Sequence, residues 1–254
     1  MIFKKSCKQH YIFLQEKDVS YNYIQNIIRY GDDIMENTPF QKLQRELDIA
    51  ATDMKKVLPK EVLDIFEKSI HDLRTSDSGR GLIAGVKAPD FTLVNSTGQK
   101  ITLSEEILKG PVVLIFYRGT WCPFCNLELK AYQRMNDDIK AIGGQLLAVS
   151  PQTPYYSASV QDKNELNFHV LSDLQNKTAE KYNLKFKLPE YVYPIYKSLD
   201  ISLETFNGDH SWELPVPATY VIDKAGIIRF ARVEADYKKR MEPSKVMHIL
   251  QSLY

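Results

Sequence analysis

The sequence FYRGTWCPFC, residues 116–125, carries Cys122 and Cys125 at a point where the pattern of the chain changes. The apolar run just before it, residues 111–117, is short, β-branched and aromatic, which predicts a buried strand. After Cys125 the apolar residues recur with a helical period as far as Ile139. The two cysteines are therefore predicted at a strand-to-helix junction, with one of them at or near the start of the helix.

A helix start favours the reactive form of cysteine. Unpaired backbone N–H groups and the helix dipole stabilise a negative charge there, and the thiolate is both such a charge and the nucleophile. Pro123 fits the first helical turn, where no N–H is needed. The spacing lets one sulfur attack a target while the other resolves the mixed disulfide. These features predict a redox-active pair.

The composition is typical of a globular protein with a sizeable core. The chain has 254 residues, of which 44% are hydrophobic and 26% charged, with a net charge of +1. This balance favours neither a nucleic-acid partner nor a membrane surface, and no apolar run approaches the length of a spanning helix. The basic N-terminus lacks a clean apolar core and a cleavage site, so no signal peptide is predicted.

Cysteine usage indicates the compartment. Cys7, Cys122 and Cys125 are the three cysteines of the chain, too few for a disulfide framework. They fit a reducing compartment, and a cytoplasmic location is expected. A zinc site is disfavoured because no second CxxC and no close histidine pair is present, and no cofactor is expected.

The first third of the chain has a helical pattern. Thr38 and Pro39 form a good helix start, and apolar residues recur from Leu43 to Val57 on one seam. Pro59 ends that helix, and a second amphipathic helix follows over residues 62–73. The two predict a helical hairpin that packs against the main domain or forms a dimer; a partner-binding module is the alternative. Residues 21–30 are weakly predicted as helix.

Residues 76–81 have the composition of a linker, so the domains are predicted as a helical extension over 1–81 and a second domain over 82–254. Strands and helices alternate in the second domain and end in a β-hairpin and a helix, which predicts an α/β fold with a mixed sheet covered on both faces. Strands are predicted at residues 91–94, 100–103, 111–117, 145–150, 168–171, 219–222 and 227–233. Residues 184–215, rich in proline and aromatic residues, are expected to be mostly irregular with one short helix.

Three motifs carry a family resemblance. WCPFC at 121–125 resembles the redox motif of thioredoxin-fold proteins, GVKAPDF at 85–91 is similar to the opening motif of peroxiredoxins, and the hairpin at 218–226 is similar to theirs. From Leu82 to the C-terminus the chain resembles peroxiredoxin-like proteins of the alkyl hydroperoxide reductase and thiol-specific antioxidant family. The resemblance implies a thioredoxin-like fold, and the helices before it look like an extension of one branch.

The chain departs from the usual peroxiredoxin motif, P-x-x-x-T-x-x-C. This chain has Arg118 at the position of the proline, Cys122 at that of the threonine, and Cys125 at that of the peroxidatic cysteine. Pro217 lies where the family has an arginine. A thioredoxin-like site implies a cis Val216–Pro217 bond against the cysteines. Peroxide cleavage needs donors for the leaving oxygen, so Arg118 or Arg232 takes that role, or peroxide is not the natural substrate.

The order of attack is open at this point. In a CxxC site the first cysteine is normally exposed and attacks, while the second is covered by the first helical turn. This favours Cys122 as nucleophile and Cys125 as resolver, and the helix-end argument points the same way. The peroxiredoxin register implies the reverse order. Trp121 is expected to shape the site.

The resemblance implies a thiol peroxidase that reduces hydrogen peroxide or organic hydroperoxides through a sulfenic acid and a disulfide. A thioredoxin-type or glutathione-type reductant would regenerate the thiols. The alternative is a thioredoxin-like disulfide reductase with little peroxidase activity; a scaffold protein with incidental cysteines is a third hypothesis. A homodimer through the N-terminal helices is a candidate assembly. The predicted catalytic residues are Cys122, Cys125, Arg118, Trp121 and Pro217.

Overall fold

The computed structural model describes residues 42–254. Three features of the sequence lie outside the described residues: the helix start at Thr38 and Pro39, the helix predicted at 21–30, and Cys7. The strand-and-helix alternation predicted beyond residue 82 is confirmed.

A seven-stranded mixed sheet forms the centre of the described part. Its strands are β1 (Thr92–Asn95), β2 (Lys100–Thr102), β3 (Val112–Phe116), β4 (Gln145–Ser150), β5 (His169–Ser172), β8 (Ala218–Ile222) and β9 (Ile228–Val233). They lie in the order β2-β1-β5-β4-β3-β8-β9. Strand β3 is in the interior of the sheet, parallel to β4 and antiparallel to β8, while β5 pairs parallel with β4.

Strand β3 explains why the sheet has two cores. Successive side chains of a strand point to opposite faces. Val113 and Ile115 therefore enter one apolar cluster, whereas Val112, Leu114 and Phe116 enter the other. All five residues are fully buried, so the run of unbroken apolar residues marks a strand covered on both sides.

Helices cover both faces. Within residues 42–254 they are α1 (Lys42–Val57), α2 (Lys60–Thr75), α3 (Leu103–Lys109), α4 (Pro123–Arg134), α5 (Asn136–Ala141), α6 (Pro154–Lys163), α7 (Lys177–Lys181), α8 (Tyr193–Ser198), α9 (Leu203–Asn207) and α10 (Pro243–Gln251). Each helix in this range is too short or too polar to cross a membrane.

The helical hairpin α1–α2 packs onto the domain, as the seam predicted. Helix α1 lies against α4, and Leu43, Leu47 and Ala50 are buried in the same cluster as the cysteines. An ion pair of 2.9 Å between Arg134 and Glu46 borders this contact. The boundary at residue 81 and the homodimer stay predictions.

The insertion at 184–215 is more regular than expected, so the prediction of a mostly irregular segment with one short helix is wrong. Strands β6 (Lys185–Lys187) and β7 (Glu213–Pro215) pair antiparallel, and α8 and α9 lie between them. The prolines that suggested irregular chain act at element ends. Pro189 precedes a 3₁₀ turn, and Pro194 occupies the first turn of α8, where a missing N–H costs nothing.

The predicted cis bond is also wrong. No peptide bond between residues 42 and 254 is cis, so Val216–Pro217 is trans. These two residues connect β7 directly to β8, and the Val216 N–H donates to the Leu184 carbonyl at 2.8 Å. The Pro217 carbonyl accepts from the Glu234 N–H at 3.1 Å. The backbone hydrogen bonds on both sides thus fit an extended segment that runs straight from one strand to the next.

Candidate redox site

Helix α4 places the two cysteines. Cys122 is its N-cap residue, Pro123 is in the first turn, and the Cys125 N–H donates to the Cys122 carbonyl at 3.1 Å. The side chains of Cys122 and Cys125 lie near each other and interact. Both are free thiols, 2% and 0% exposed. The pair is confirmed, but the expectation of an exposed Cys122 is wrong.

The two thiols have opposite electrostatics. Burial would raise the pKa of Cys125, but the hydrogen bond from Cys122 and the charges of Arg240 and Arg118 hold this pKa well below its usual value. Burial raises the pKa of Cys122, and the hydrogen bond and negative charge of Cys125 raise it further. The fold thus favours a thiolate at Cys125 and a thiol at Cys122.

Arg240 is the group that distinguishes Cys125. Its Nη2 lies 3.4 Å from the Cys125 sulfur. Its Nε donates to the Glu128 carboxylate at 2.7 Å, and both side chains of this ion pair are at most 2% exposed. Burial raises the pKa of Glu128 to about 8, against the lowering effect of Arg240. Glu128 therefore holds the Nε of the guanidinium while its Nη2 faces the sulfur.

Arg118 lies on the other side of the pair, clamped by aromatic rings. Its guanidinium carbon is 4.9 Å from the centre of the Trp121 ring and 4.1 Å from that of Tyr237, a cation–π arrangement. Its Nη2 donates to the Tyr196 hydroxyl. Trp121 meets Tyr196 edge-on, with ring centres 5.5 Å apart. Trp121 thus shapes the site by packing against two of its members.

The loop before the helix is fixed by close packing and by buried amides. A Cβ at Gly119 would lie 2.3 Å from the Trp121 Nε1, so this position requires glycine. The Thr120 N–H donates to the Gln152 side chain at 2.7 Å, and Asn126 donates to the Thr120 carbonyl at 2.7 Å. These bonds hold the cysteine loop over the ends of β3 and β4.

A small apolar cavity of about 70 Å³ adjoins Cys122. Its lining comes from the helical hairpin, the loop of the cysteines and the insertion, and Arg118 contributes its charged side chain. The apolar members include Met54, Val57, Leu199 and Ile201. The extension therefore forms part of the wall of the redox site.

Four of the five predicted site residues meet in one place: Cys122, Cys125, Arg118 and Trp121. Pro217 is buried and lines a neighbouring cavity with Arg118. Arg232 does not lie at this site, because its side chain is 44% exposed and pairs with Glu234.

Sequence reasoning missed Arg240, Glu128 and Tyr196. Glu128 lies three residues after Cys125 on the same helix, so helical spacing could have found it; Arg240 and Tyr196 have no local signal. Among residues 42–254, no group of three or more His, Cys, Asp or Glu side chains is placed to hold a metal ion.

Comparison with known proteins gives a consistent result. The AhpC/TSA family matches residues 84–231, which is more than half of the chain. The chain is 27% identical over 174 residues to a chloroplastic peroxiredoxin Q of Oryza sativa subsp. japonica, covering 66% of this chain and 67% of the relative. It is 29% identical over 162 residues to the thioredoxin-like protein YneN of Bacillus subtilis, covering 64% of this chain and 78% of the relative.

Among solved structures, the peroxidoxin BcpB of Mycobacterium tuberculosis has a TM-score of 0.54 at 20% identity. The match covers 68% of this chain and 99% of that one. At this identity the likeness establishes the fold alone. The family match shows that the chain belongs to the AhpC/TSA family as a peroxiredoxin-like protein, and the structural likeness establishes its thioredoxin-like fold.

Proposed function

We propose that the protein is a thiol-dependent peroxidase in which Cys125 attacks the peroxide and Cys122 resolves the product. Membership of the AhpC/TSA family supports the activity class. The observation that carries the assignment is the contact of 3.4 Å between the Arg240 guanidinium and the Cys125 sulfur. A charge-assisted contact of this kind favours the thiolate, which is the attacking form.

The first step oxidises Cys125. Its thiolate attacks one oxygen of the O–O bond; an S–O bond forms, the O–O bond breaks, and the second oxygen leaves with the electron pair as an alkoxide or hydroxide. That oxygen takes up a proton, and the sulfur becomes a sulfenic acid. Arg118 lines the cavity beside Cys122, and its guanidinium stabilises the negative charge that develops on the leaving oxygen.

The second step uses Cys122. Its sulfur attacks the sulfenic sulfur of Cys125, an S–S bond forms, the S–O bond breaks, and water leaves. The interaction between the two side chains supports this step because the resolving sulfur lies near its target. A thioredoxin-type dithiol then supplies two electrons and two protons and restores both thiols.

The order of attack proposed here is the reverse of the one favoured by the helix end alone. Cys122 does occupy the N-cap, but its side chain makes no capping hydrogen bond to the helix. The backbone N–H of Arg118 and the Arg240 side chain both favour charge on Cys125 instead. Two specific donors outweigh a helix dipole, whose effect is typically below about 1 kcal/mol.

We also propose the cytoplasm as the working location. The support is the cysteine content of the chain, a single redox pair and one further thiol, which fits a reducing compartment. The rice relative carries a chloroplastic description, so fractionation of cells with a tagged full-length chain is the test.

Steady-state turnover tests the function. The full-length protein is given thioredoxin, thioredoxin reductase and NADPH, with hydrogen peroxide or cumene hydroperoxide as substrate. We expect NADPH oxidation that depends on peroxide and is abolished in Cys125→Ser. Cys7→Ser is the matched control because it removes the one thiol outside the pair. Insulin reduction without peroxide consumption would contradict the proposal and favour the disulfide reductase.

A further inference from the structure

A second cavity, of about 270 Å³, lies between helix α2, strand β6 and the segment before α10. Its walls are largely apolar and include Phe66, Leu73, Leu188 and Pro217. Arg118, Tyr196 and Tyr237 border both this cavity and the one beside Cys122. A molecule held here would therefore contact side chains that also line the cavity beside Cys122.

Arg118 is a buried cation with unused donors. It is 4% exposed, its Nε has no hydrogen-bond partner, and no carboxylate between residues 42 and 254 pairs with it. A guanidinium has five N–H donors, and leaving a buried donor such as this Nε without a partner is costly. The thiolate of Cys125 compensates part of its charge, but that charge disappears once Cys125 is oxidised.

The remaining charges of the cavity also favour an anion. Lys187, at the end of β6, is exposed and has no ion-pair partner in the described part of the chain. Asp72 is the one acidic residue of the lining among residues 42–254, and it already accepts hydrogen bonds from Lys68 and from the Tyr191 hydroxyl. Two cations are thus left without a carboxylate, and no acidic group is left without a partner.

We propose that this cavity binds the carboxylate of a small molecule that reacts with the cysteine pair, with Arg118 as the inner contact and Lys187 at the mouth. A carboxylate accepts two hydrogen bonds from a guanidinium in one plane, which suits donors held between aromatic rings. The inference rests on the proposed function. The ligand is a carboxylate-bearing hydroperoxide or a carboxylate-bearing thiol, two sources of the same chemistry.

Paired probes that differ in the carboxylate test the site. In the oxidative arm, stopped-flow fluorescence follows oxidation of the reduced full-length protein by linoleic acid hydroperoxide and by its methyl ester. In the reductive arm, it follows reduction of the disulfide form by 3-mercaptopropionate and by 2-mercaptoethanol. In each arm, the rate with the carboxylate-bearing probe is divided by the rate with its neutral counterpart, and this ratio is compared between variants.

Lys187→Glu is the test variant, because Lys187 lies outside the catalytic contacts. Lys100→Glu is its control: Lys100 is also an exposed strand lysine, on edge strand β2. Reversing the charge removes an attraction and adds a repulsion, so we expect the anionic-to-neutral ratio to fall about fivefold in at least one arm. The arm that responds identifies the ligand as the peroxide or as the thiol.

An unchanged ratio in both arms for Lys187→Glu would overturn the proposal, as would an equal fall in Lys100→Glu. Failure of the proposed function looks different. In that case the wild-type protein would not be oxidised by either hydroperoxide, whatever the residue at position 187.

Discussion

Removing the positive charge of Arg240 is expected to raise the pKa of Cys125. At the observed 3.4 Å, Coulomb's law with an effective dielectric constant of about 20 gives roughly 5 kcal/mol for two unit charges. That corresponds to about 3.5 pKa units as an upper bound, because the guanidinium charge is spread over three nitrogens. We expect Arg240→Met to raise the pKa by about 1 to 3 units.

The measurement is the pH dependence of alkylation by iodoacetamide. All variants carry Cys7→Ser and Cys122→Ser, so that Cys125 is the one remaining thiol. Because only the thiolate reacts, the midpoint of the rate against pH reports the pKa of Cys125. In the protein that keeps Arg240, the midpoint is expected below the usual value for cysteine, with the rate constant falling as pH falls through it.

Two controls make the result interpretable. Arg232→Met makes the same chemical change at an exposed arginine outside the site and is expected to leave the midpoint in place. Loss of Arg240 alone leaves the buried carboxyl group of Glu128 without its hydrogen-bond partner, which is itself destabilising. Arg240→Met with Glu128→Gln removes both ionisable groups and keeps the test valid if the single variant unfolds. An unchanged midpoint in folded variants, or an equal shift with Arg232→Met, would refute the reasoning.

Three further predictions concern stability and packing. Leu47→Ala removes a side chain that is 1% exposed and packs against helix α4, so it should lower the free energy of unfolding in urea by about 2–5 kcal/mol. The control Ile83→Ala changes a side chain that is 70% exposed and should alter this free energy by less than about 0.5 kcal/mol. Equal effects of the two variants would contradict the packing. Gly119→Ala should push Trp121 aside and abolish peroxide turnover with unchanged far-ultraviolet circular dichroism, since its Cβ would lie 2.3 Å from the ring nitrogen; full turnover would contradict this. Because burial raises the pKa of Glu128 to about 8, the folded chain keeps a proton that the unfolded chain loses near pH 4.3. The free energy of unfolding should therefore fall as pH rises between about 5 and 8, and Glu128→Gln should remove this slope. Equal slopes of the free energy of unfolding against pH in the wild type and Glu128→Gln would contradict the prediction.

Local patterns account for what could be predicted from the sequence. The unbroken apolar run at 112–116 predicts a strand buried on both faces, and the seam from Leu43 to Val57 predicts a helix with one buried side. In both cases the neighbours that decide the structure are a few residues away. Cys122, Cys125, Arg118 and Trp121 were also predictable, because one short loop carries all four.

Tertiary contacts account for what could not be predicted. Arg240 lies 115 residues beyond Cys125, in an irregular segment before the last helix, and nothing in its surroundings distinguishes it from a surface arginine. Its role comes from the buried carboxylate of Glu128, which fixes its direction. The resemblance predicts a cis bond before Pro217, whereas hydrogen bonds on both sides place this residue in an extended connection between β7 and β8.

Trapping of the sulfenic acid tests the assignment of the attacking sulfur most directly. Reduced Cys122→Ser and Cys125→Ser proteins are each treated with one equivalent of hydrogen peroxide in the presence of dimedone, and the adduct is located by peptide mass spectrometry. We predict an adduct on Cys125 in the Cys122→Ser protein and none on Cys122 in the Cys125→Ser protein. An adduct on Cys122 in the Cys125→Ser protein, with none on Cys125 in the other, would contradict the account.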